Sequence, residues 1–103
     1  MNTMVFVSDQ LTLNPTNGNL VTDDIKTETR QAMNNLKNIL EAAGSNLEKV
    51  IKTTLFIKNM NDFSLINEVY GEFFKQNFPA RACMEVSRLP KDADVEVEAV
   101  CLL

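Results

Sequence analysis

Polar side chains in two strand-like runs near the C-terminus have types and spacings suited to carboxylate binding and acid–base chemistry. Arg81, Cys83 and Glu85 alternate along the first run, and alternate residues of a strand share a face. Glu96 and Glu98 alternate along the second run. An arginine can bind a carboxylate through two parallel N–H bonds, and a glutamate can take a proton from water. We expect both sets on the sheet face that points away from the helices, where they could form a small pocket.

Several other chemistries are excluded or disfavoured by composition. The sequence has no histidine, which is the commonest metal ligand and general base. Cys83 and Cys101 form no C-x-x-C pair, so neither a zinc site nor a thioredoxin-like motif is present. The net charge of −4 argues against a nucleic-acid partner, because such proteins carry a basic face.

The first helix is predicted from apolar residues that recur at helical spacing between positions 25 and 43. Thr22 is the expected N-cap, with Asp23 and Asp24 near the positive end of the helix dipole. Gly44 follows the last periodic residue, as a glycine that ends a helix does.

The second helix is predicted from an aromatic and aliphatic stripe between positions 63 and 74. Asn61 or Asp62 is the expected N-cap, and the helix should end near positions 77–79. The stripe, which includes Tyr70, is interpreted as core.

Four strands are predicted at positions 4–7, 50–57, 81–87 and 95–102, and a turn at 14–18. The last two runs alternate with period two and are expected to pair with each other. With the helices, the order is β, α, β, α, β, β. This order predicts a single α+β domain over residues 1–103, a two-layer sandwich with two helices on one face of a mixed sheet.

Two features of the sequence indicate a subunit interface and a cellular compartment. Val100 and Leu102 would lie on the uncovered face, which suggests burial against another subunit. The first ten residues lack the pattern of a signal peptide, and no apolar run is long enough to cross a membrane. A reducing cytoplasm with both thiols free is therefore expected.

The residues also resemble a known family over almost the whole chain. The longest matching segment is PARACMEVSRLPKDADVEVEAV at 79–100. Four further segments agree in order and spacing: VFVSDQ at 5–10, GNLV at 18–21, GSNLEKVIKTTLFIKNMNDF at 44–63 and NEVYGEFF at 67–74. Together they resemble the reactive intermediate deaminase family, also called the RidA or YjgF family.

The resemblance implies a homotrimer of chorismate-mutase-like domains, with a ligand cleft at each subunit boundary. Members hydrolyse 2-imino acids, such as 2-iminobutanoate and 2-iminopropanoate, to 2-keto acids and ammonia, without a cofactor or metal. By this resemblance Arg81 would bind the substrate carboxylate and Glu96 would orient the attacking water. Ser8, Asn67 and the backbone at Cys83 would complete the pocket.

The chain departs from the family pattern at two places. The resemblance implies a further N-terminal strand with a pocket tyrosine, for which we expect no counterpart in this sequence, because Tyr70 belongs to the predicted second helix. Asp9 stands where the family has a glycine, and its negative charge would lie near an anionic substrate.

Alternatives to a deaminase remain at this point. The same cleft could bind keto or imino acids without catalysis, and some relatives have been described as translation inhibitors or ribonucleases, although the acidic charge disfavours an RNA-directed role. Cys83 could be a nucleophile, but without a neighbouring base a small hydrophobic role is favoured. Glu96 and Glu98 could also act as a paired acid and base.

Overall fold

The computed structural model describes residues 3–21, 24–76 and 78–103, except the side chain of Asp9. The strands are β1 (Met4–Gln10), β2 (Val50–Ile57), β3 (Ala80–Glu85) and β4 (Val95–Leu102), and the helices are α1 (Ile25–Ala42) and α2 (Phe63–Phe73). Short 3₁₀ turns lie at Leu47–Lys49, Met60–Asp62 and Pro90–Asp92. The predicted order of strands and helices is confirmed.

The four strands form one mixed sheet in the order β1-β4-β2-β3. β2 and β3 are parallel, whereas β4 is antiparallel to both β1 and β2. The expected pairing of the last two strands with each other is therefore wrong, because β2 lies between them. The α2 crossover returns the chain parallel to β2 at the sheet edge, and β4 then fills the position on the other side of β2.

Both helices pack on one face of the sheet, as predicted. The buried core combines residues of α1, α2 and alternate positions of β2 and β4: Met33, Leu36, Leu40, Leu55, Ile57, Ile66, Tyr70, Val95, Val97 and Cys101. The clean alternation of β4 thus marks its covered face correctly, since burial of the apolar set is the main favourable term in folding.

The two ends of α1 are closed by local hydrogen bonds. The N-cap is Asp24, whose Oδ1 accepts from the backbone N–H of Thr27 at 2.9 Å, so the expected cap at Thr22 is wrong. Thr22 and Asp23 themselves lie outside the described residues. Gly44 has a φ of +84° and ends the helix as predicted, because this conformation is easily adopted only by glycine.

α2 ends at Phe73, earlier than the predicted end near positions 77–79. Phe74 has extended backbone angles, and its buried ring lies 4.9 Å from that of Tyr70. The chain thus leaves the helix while the ring of Phe74 remains in the core. Residue 77 lies outside the described residues.

β1 is longer than predicted and runs through Gln10, with an irregular register between Val7 and Gln10. The predicted turn follows it: the N–H of Gly18 donates to the carbonyl of Asn14 at 2.8 Å. In residues 3–21, 24–76 and 78–103, no helix is long and apolar enough to cross a membrane.

The faces of β3 are the reverse of those expected. Arg81, Cys83 and Glu85 pair in register with Thr53, Leu55 and Ile57 of β2, respectively. Leu55 and Ile57 are buried in the core below the helices, and paired residues of neighbouring strands point to the same side. The three β3 side chains therefore lie on the helix-covered face.

Glu96 and Glu98 lie on the opposite, uncovered face, as expected. They alternate with the core residues Val95, Val97 and Ala99. The predicted single pocket with Arg81, Cys83 and Glu85 beside these glutamates is therefore not formed on one face of one chain.

Candidate active site

Arg81 lies at the edge of the sheet, beside an open cleft between β3 and α2. The cleft has a volume of about 550 Å³ and is lined by Asn67, Tyr70, Gly71, Phe78, Pro79 and Arg81. β3 is an edge strand. The polar part of the helix-covered face is therefore open to solvent at this cleft.

The Arg81 guanidinium is held by side chains from α2. Its carbon Cζ lies 4.8 Å from the centre of the Tyr70 ring and 5.4 Å from that of Phe63, distances at which a cation is attracted to an aromatic face. Nη1 donates a hydrogen bond to Oδ1 of Asn67. The structure thus brings together Arg81 and Asn67, two of the residues predicted for the site.

Tyr70 is buried in the core as predicted, but its contact with Arg81 was not predicted from the sequence. Its hydroxyl shares a buried 2.7 Å hydrogen bond with Oγ1 of Thr53. Burial raises the pKa of Tyr70, while the Thr53 hydrogen bond and the Arg81 charge act in the opposite direction. A signal was present in the sequence, because a single tyrosine in a stripe of phenylalanines brings a hydroxyl that needs a partner when buried.

Cys83 lies two residues after Arg81 and is half-buried against the core. Burial raises the pKa of its thiol, and the charge of Arg81 only partly opposes this. A raised pKa leaves little thiolate at neutral pH, so the environment favours a small hydrophobic role over a nucleophile.

Glu85 has a structural contact. Its Oε1 accepts from the backbone N–H of Met60 at 2.7 Å, which joins the end of β3 to the 3₁₀ turn that precedes α2. This contact helps to hold α2 beside β3, and therefore beside Arg81.

The donors at the cleft suit an anion. The guanidinium presents several N–H groups in one plane, and such a fork matches a carboxylate. In the described part of the chain, no three His, Cys, Asp or Glu side chains are grouped so that they could hold a metal ion.

The other predicted site residues lie elsewhere. Glu96 is on the uncovered face and is only 3% exposed. Ser8 lines a separate cavity of about 330 Å³ on that face, together with Phe6, Lys52, Thr54, Glu98 and Val100. Asp9 is in β1, and its side chain is outside the described part.

The fold is that of an α+β protein with an arginine at an open cleft on the sheet edge, and comparison with known proteins identifies the family. The model described as Endoribonuclease L-PSP matches residues 1–103. The chain belongs to this family, which is the RidA/YjgF family that its sequence resembles.

Individual relatives agree with this assignment. A RutC family protein of Pyrococcus horikoshii is 51% identical over 96 residues, which span 93% of this chain and 76% of the relative. The 2-iminobutanoate/2-iminopropanoate deaminase of Homo sapiens is 42% identical over 98 residues, which span 95% of this chain and 72% of the relative. The structure of Escherichia coli TdcF with bound serine has a TM-score of 0.92 and 41% identity, and the match covers 97% of this chain and 80% of TdcF.

Proposed function

We propose that this chain hydrolyses small 2-imino acids, such as 2-iminobutanoate and 2-iminopropanoate, to 2-keto acids and ammonia. The observation that carries the proposal is the Arg81 guanidinium, held at an open cleft by Asn67 and two aromatic rings. Relatives named 2-iminobutanoate/2-iminopropanoate deaminase support the reaction. The serine bound to TdcF supports a small ligand with an α-carboxylate. We place the reaction in the cytoplasm, where the free thiols Cys83 and Cys101 stay reduced.

In the proposed mechanism Arg81 binds the substrate carboxylate and Glu96 directs water at the imine carbon. The protonated imine is already electrophilic, so positioning and proton transfer are the main requirements. Glu96 takes one proton of the water as the water oxygen bonds to C2, and gives it to nitrogen. As the C–N bond breaks and its electron pair leaves with ammonia, Glu96 takes the second proton from the hydroxyl, whose oxygen becomes the carbonyl, and passes it to the ammonia. Water and the iminium thereby become the 2-keto acid and ammonium, without a cofactor.

The positions of Arg81 and Glu96 on opposite faces support an active site shared between subunits. A ring of identical subunits with head-to-tail contacts places one face of a chain against a different face of its neighbour. We therefore propose a homotrimer in which Arg81 of one chain and Glu96 of the next serve the same cleft, with Ser8 on the Glu96 side.

The uncovered face has the apolar residues that such an assembly would bury. Phe6 is 74% exposed and pairs in register with Val100, and Met4 pairs with Leu102 in the same way. Met84 of β3 is exposed on this face as well. Exposed apolar side chains grouped in this way are typical of an interface.

The trimer predicts a defined hydrodynamic mass. Sedimentation should give about 35 kDa, three times the 11.6 kDa of one chain, and Phe6→Asp should shift the mass toward the monomer because a charge would be buried. Ile39→Asp is the matched control, since Ile39 is 40% exposed on the solvent side of α1. A wild-type monomer at micromolar concentration would contradict the assembly.

Catalysis and the shared site can be tested together. Enzymatically generated 2-iminobutanoate, trapped with semicarbazide, should decay faster with the wild-type chain than with Arg81→Ala or Glu96→Gln. When these two variants are mixed and refolded together, about a quarter of the sites should combine an intact Arg81 with an intact Glu96. Activity should therefore reappear in the mixture.

The outcomes separate the claims. No acceleration by a folded wild-type trimer would overturn the deaminase proposal, and binding of a keto acid by that trimer would then favour a non-catalytic binding protein. Wild-type activity with no recovery in the mixture would instead mean that both residues act from one chain.

A further inference from the structure

Tyr70 lies directly under the residue that is proposed to bind substrate. The 4.8 Å distance from its ring centre to Cζ of Arg81 puts the guanidinium over a ring that is itself buried. The arginine side chain has several rotatable bonds, and contact with a fixed aromatic surface reduces the orientations that its plane can take.

The ring of Tyr70 is held from the sheet. Its hydroxyl bonds to Oγ1 of Thr53 at 2.7 Å, and Thr53 is paired in register with Arg81 across β2 and β3. Two paired residues on neighbouring strands thus have linked roles: Arg81 carries the guanidinium, and Thr53 carries the hydroxyl that holds the Tyr70 ring beneath it. A change in χ1 that moved the ring away from Arg81 would break this buried hydrogen bond, which is costly.

The second contact from α2 restricts the guanidinium at its edge. Asn67 lies one helical turn before Tyr70 and accepts the hydrogen bond from Nη1 of Arg81, so the same face of α2 holds both the plane and one edge of the group. Arg81 also lines the cleft of about 550 Å³, where its guanidinium can meet a ligand.

Packing alone does not require a tyrosine at this position. The same stripe contains phenylalanine at positions 63, 73 and 74, and a phenyl ring would fill the core without a hydroxyl to satisfy. The hydroxyl and its partner Thr53 are therefore not needed merely to fill the core.

We propose that Tyr70 is a positioning residue that sets the plane of the Arg81 guanidinium for two-point binding of a 2-imino or 2-keto acid carboxylate, and that Thr53 orients Tyr70 for this purpose. The inference deepens the proposed function and rests on it for the identity of the acid. Positioning by Tyr70 can nevertheless be tested by binding alone.

The chain provides a specific spectroscopic probe. Tyr70 is its only tyrosine and it has no tryptophan, so tyrosine fluorescence reports on this one site. Titration of the wild type with 2-oxobutanoate should change this fluorescence. Calorimetry gives the Kd of variants that lack the tyrosine.

Three variants separate the contribution of the Tyr70 ring to binding from that of its hydroxyl. Tyr70→Leu removes the aromatic face and should weaken 2-oxobutanoate binding about tenfold. Tyr70→Phe and Thr53→Val keep a ring but lose the hydrogen bond, and each should weaken binding about threefold. The double variant Tyr70→Phe/Thr53→Val should bind 2-oxobutanoate no more weakly than either single variant, because both changes remove the same hydrogen bond.

Kinetics distinguish positioning from general loss of structure. In imine hydrolysis the three variants should raise KM and leave kcat within about twofold, because the carboxylate is held alike in the ground and transition states. Val69→Ala is the matched control: Val69 is buried beside Tyr70 on α2, so the change lowers stability but should leave Kd and KM unaltered.

A further measurement needs no ligand. Arg81→Ala should raise the pKa of Tyr70, measured by phenolate absorbance, because the Arg81 charge lowers that pKa. An unchanged pKa would mean that the two groups are not in contact and would overturn the proposal.

Other results distinguish the positioning role of Tyr70 from the proposed deaminase activity. Wild-type affinity in Tyr70→Leu, or weakening in Val69→Ala equal to that in Tyr70→Leu, would overturn the positioning role and leave the deaminase proposal intact. Binding that depends on Tyr70 without any turnover would overturn the deaminase and support positioning. A wild-type chain that neither binds 2-oxobutanoate nor hydrolyses the imine would overturn both.

Discussion

Replacing Arg81 with alanine should lower kcat/KM for 2-iminobutanoate by about two to three orders of magnitude. The side chain is the cation at the cleft, and its loss removes two charge-assisted hydrogen bonds to the substrate carboxylate. Steady-state kinetics with trapped imine measure the effect. We expect most of it in KM, because the carboxylate does not change charge during the reaction.

Two controls make the Arg81 result specific. Arg81→Lys keeps the positive charge but loses the planar fork, so its kcat/KM should lie between the values for wild type and alanine. Arg30→Ala removes another exposed arginine, paired with Glu72 at 3.1 Å on the outer surface of the helices, and should leave kinetics unchanged. Full activity in Arg81→Ala, or an equal loss in Arg30→Ala, would refute the role of Arg81.

Secondary-structure elements were predicted correctly where the local sequence follows one clear periodicity. α1 begins at Ile25 and Gly44 closes it, as expected, because helical spacing and a glycine at positive φ act over a few residues. The cap was misplaced because Thr22 and Asp24 are both good N-caps, and only the conformation of the chain decides between them.

The face of β3 could not be predicted from its own residues. The apolar alternate set contains Ala82 and Met84, and the other contains Arg81 and Cys83, so the pattern alone favours the wrong face. Which set is buried depends on the register with β2 across a parallel pair, a contact that the α2 crossover establishes. In β4, by contrast, valines alternate with glutamates, and the covered face was evident.

The candidate site likewise contains some residues that could be predicted from the sequence and others that could not. Arg81 and Asn67 were recognised through the resemblance, and the structure brings them into contact. The contribution of Tyr70 and Thr53 depends on a hydrogen bond between a helix and a strand, which no local pattern encodes. The assignment of Arg81 and Glu96 to opposite faces likewise required the strand register.

The second large effect concerns Glu28, which should make the protein less stable as the pH rises. Glu28 is only 3% exposed; burial, followed by a hydrogen bond to Asp94 and nearby negative charge, raises its pKa from 4.5 to about 8. The folded state therefore holds a proton that the unfolded state releases. The stabilisation is complete below pH 4.5 and is lost as the pH rises through about 8.

Glu28→Gln should remove this dependence. The amide can donate a hydrogen bond to Asp94 without a titrating proton, so the variant should gain stability over the wild type between about pH 5 and about pH 8, by an amount on the order of 2 kcal/mol. Urea unfolding across this pH range measures the difference, and subtraction of the two curves cancels groups common to both.

The control for Glu28 is on the same helix. Glu41→Gln changes an exposed glutamate near the end of α1, and its stability curve should stay parallel to that of the wild type. If the Glu28→Gln curve were also parallel to the wild type, the buried carboxyl would not hold its proton in the folded state. A slope that disappears only in Glu28→Gln would instead assign the pH dependence to the contact between α1 and the start of β4.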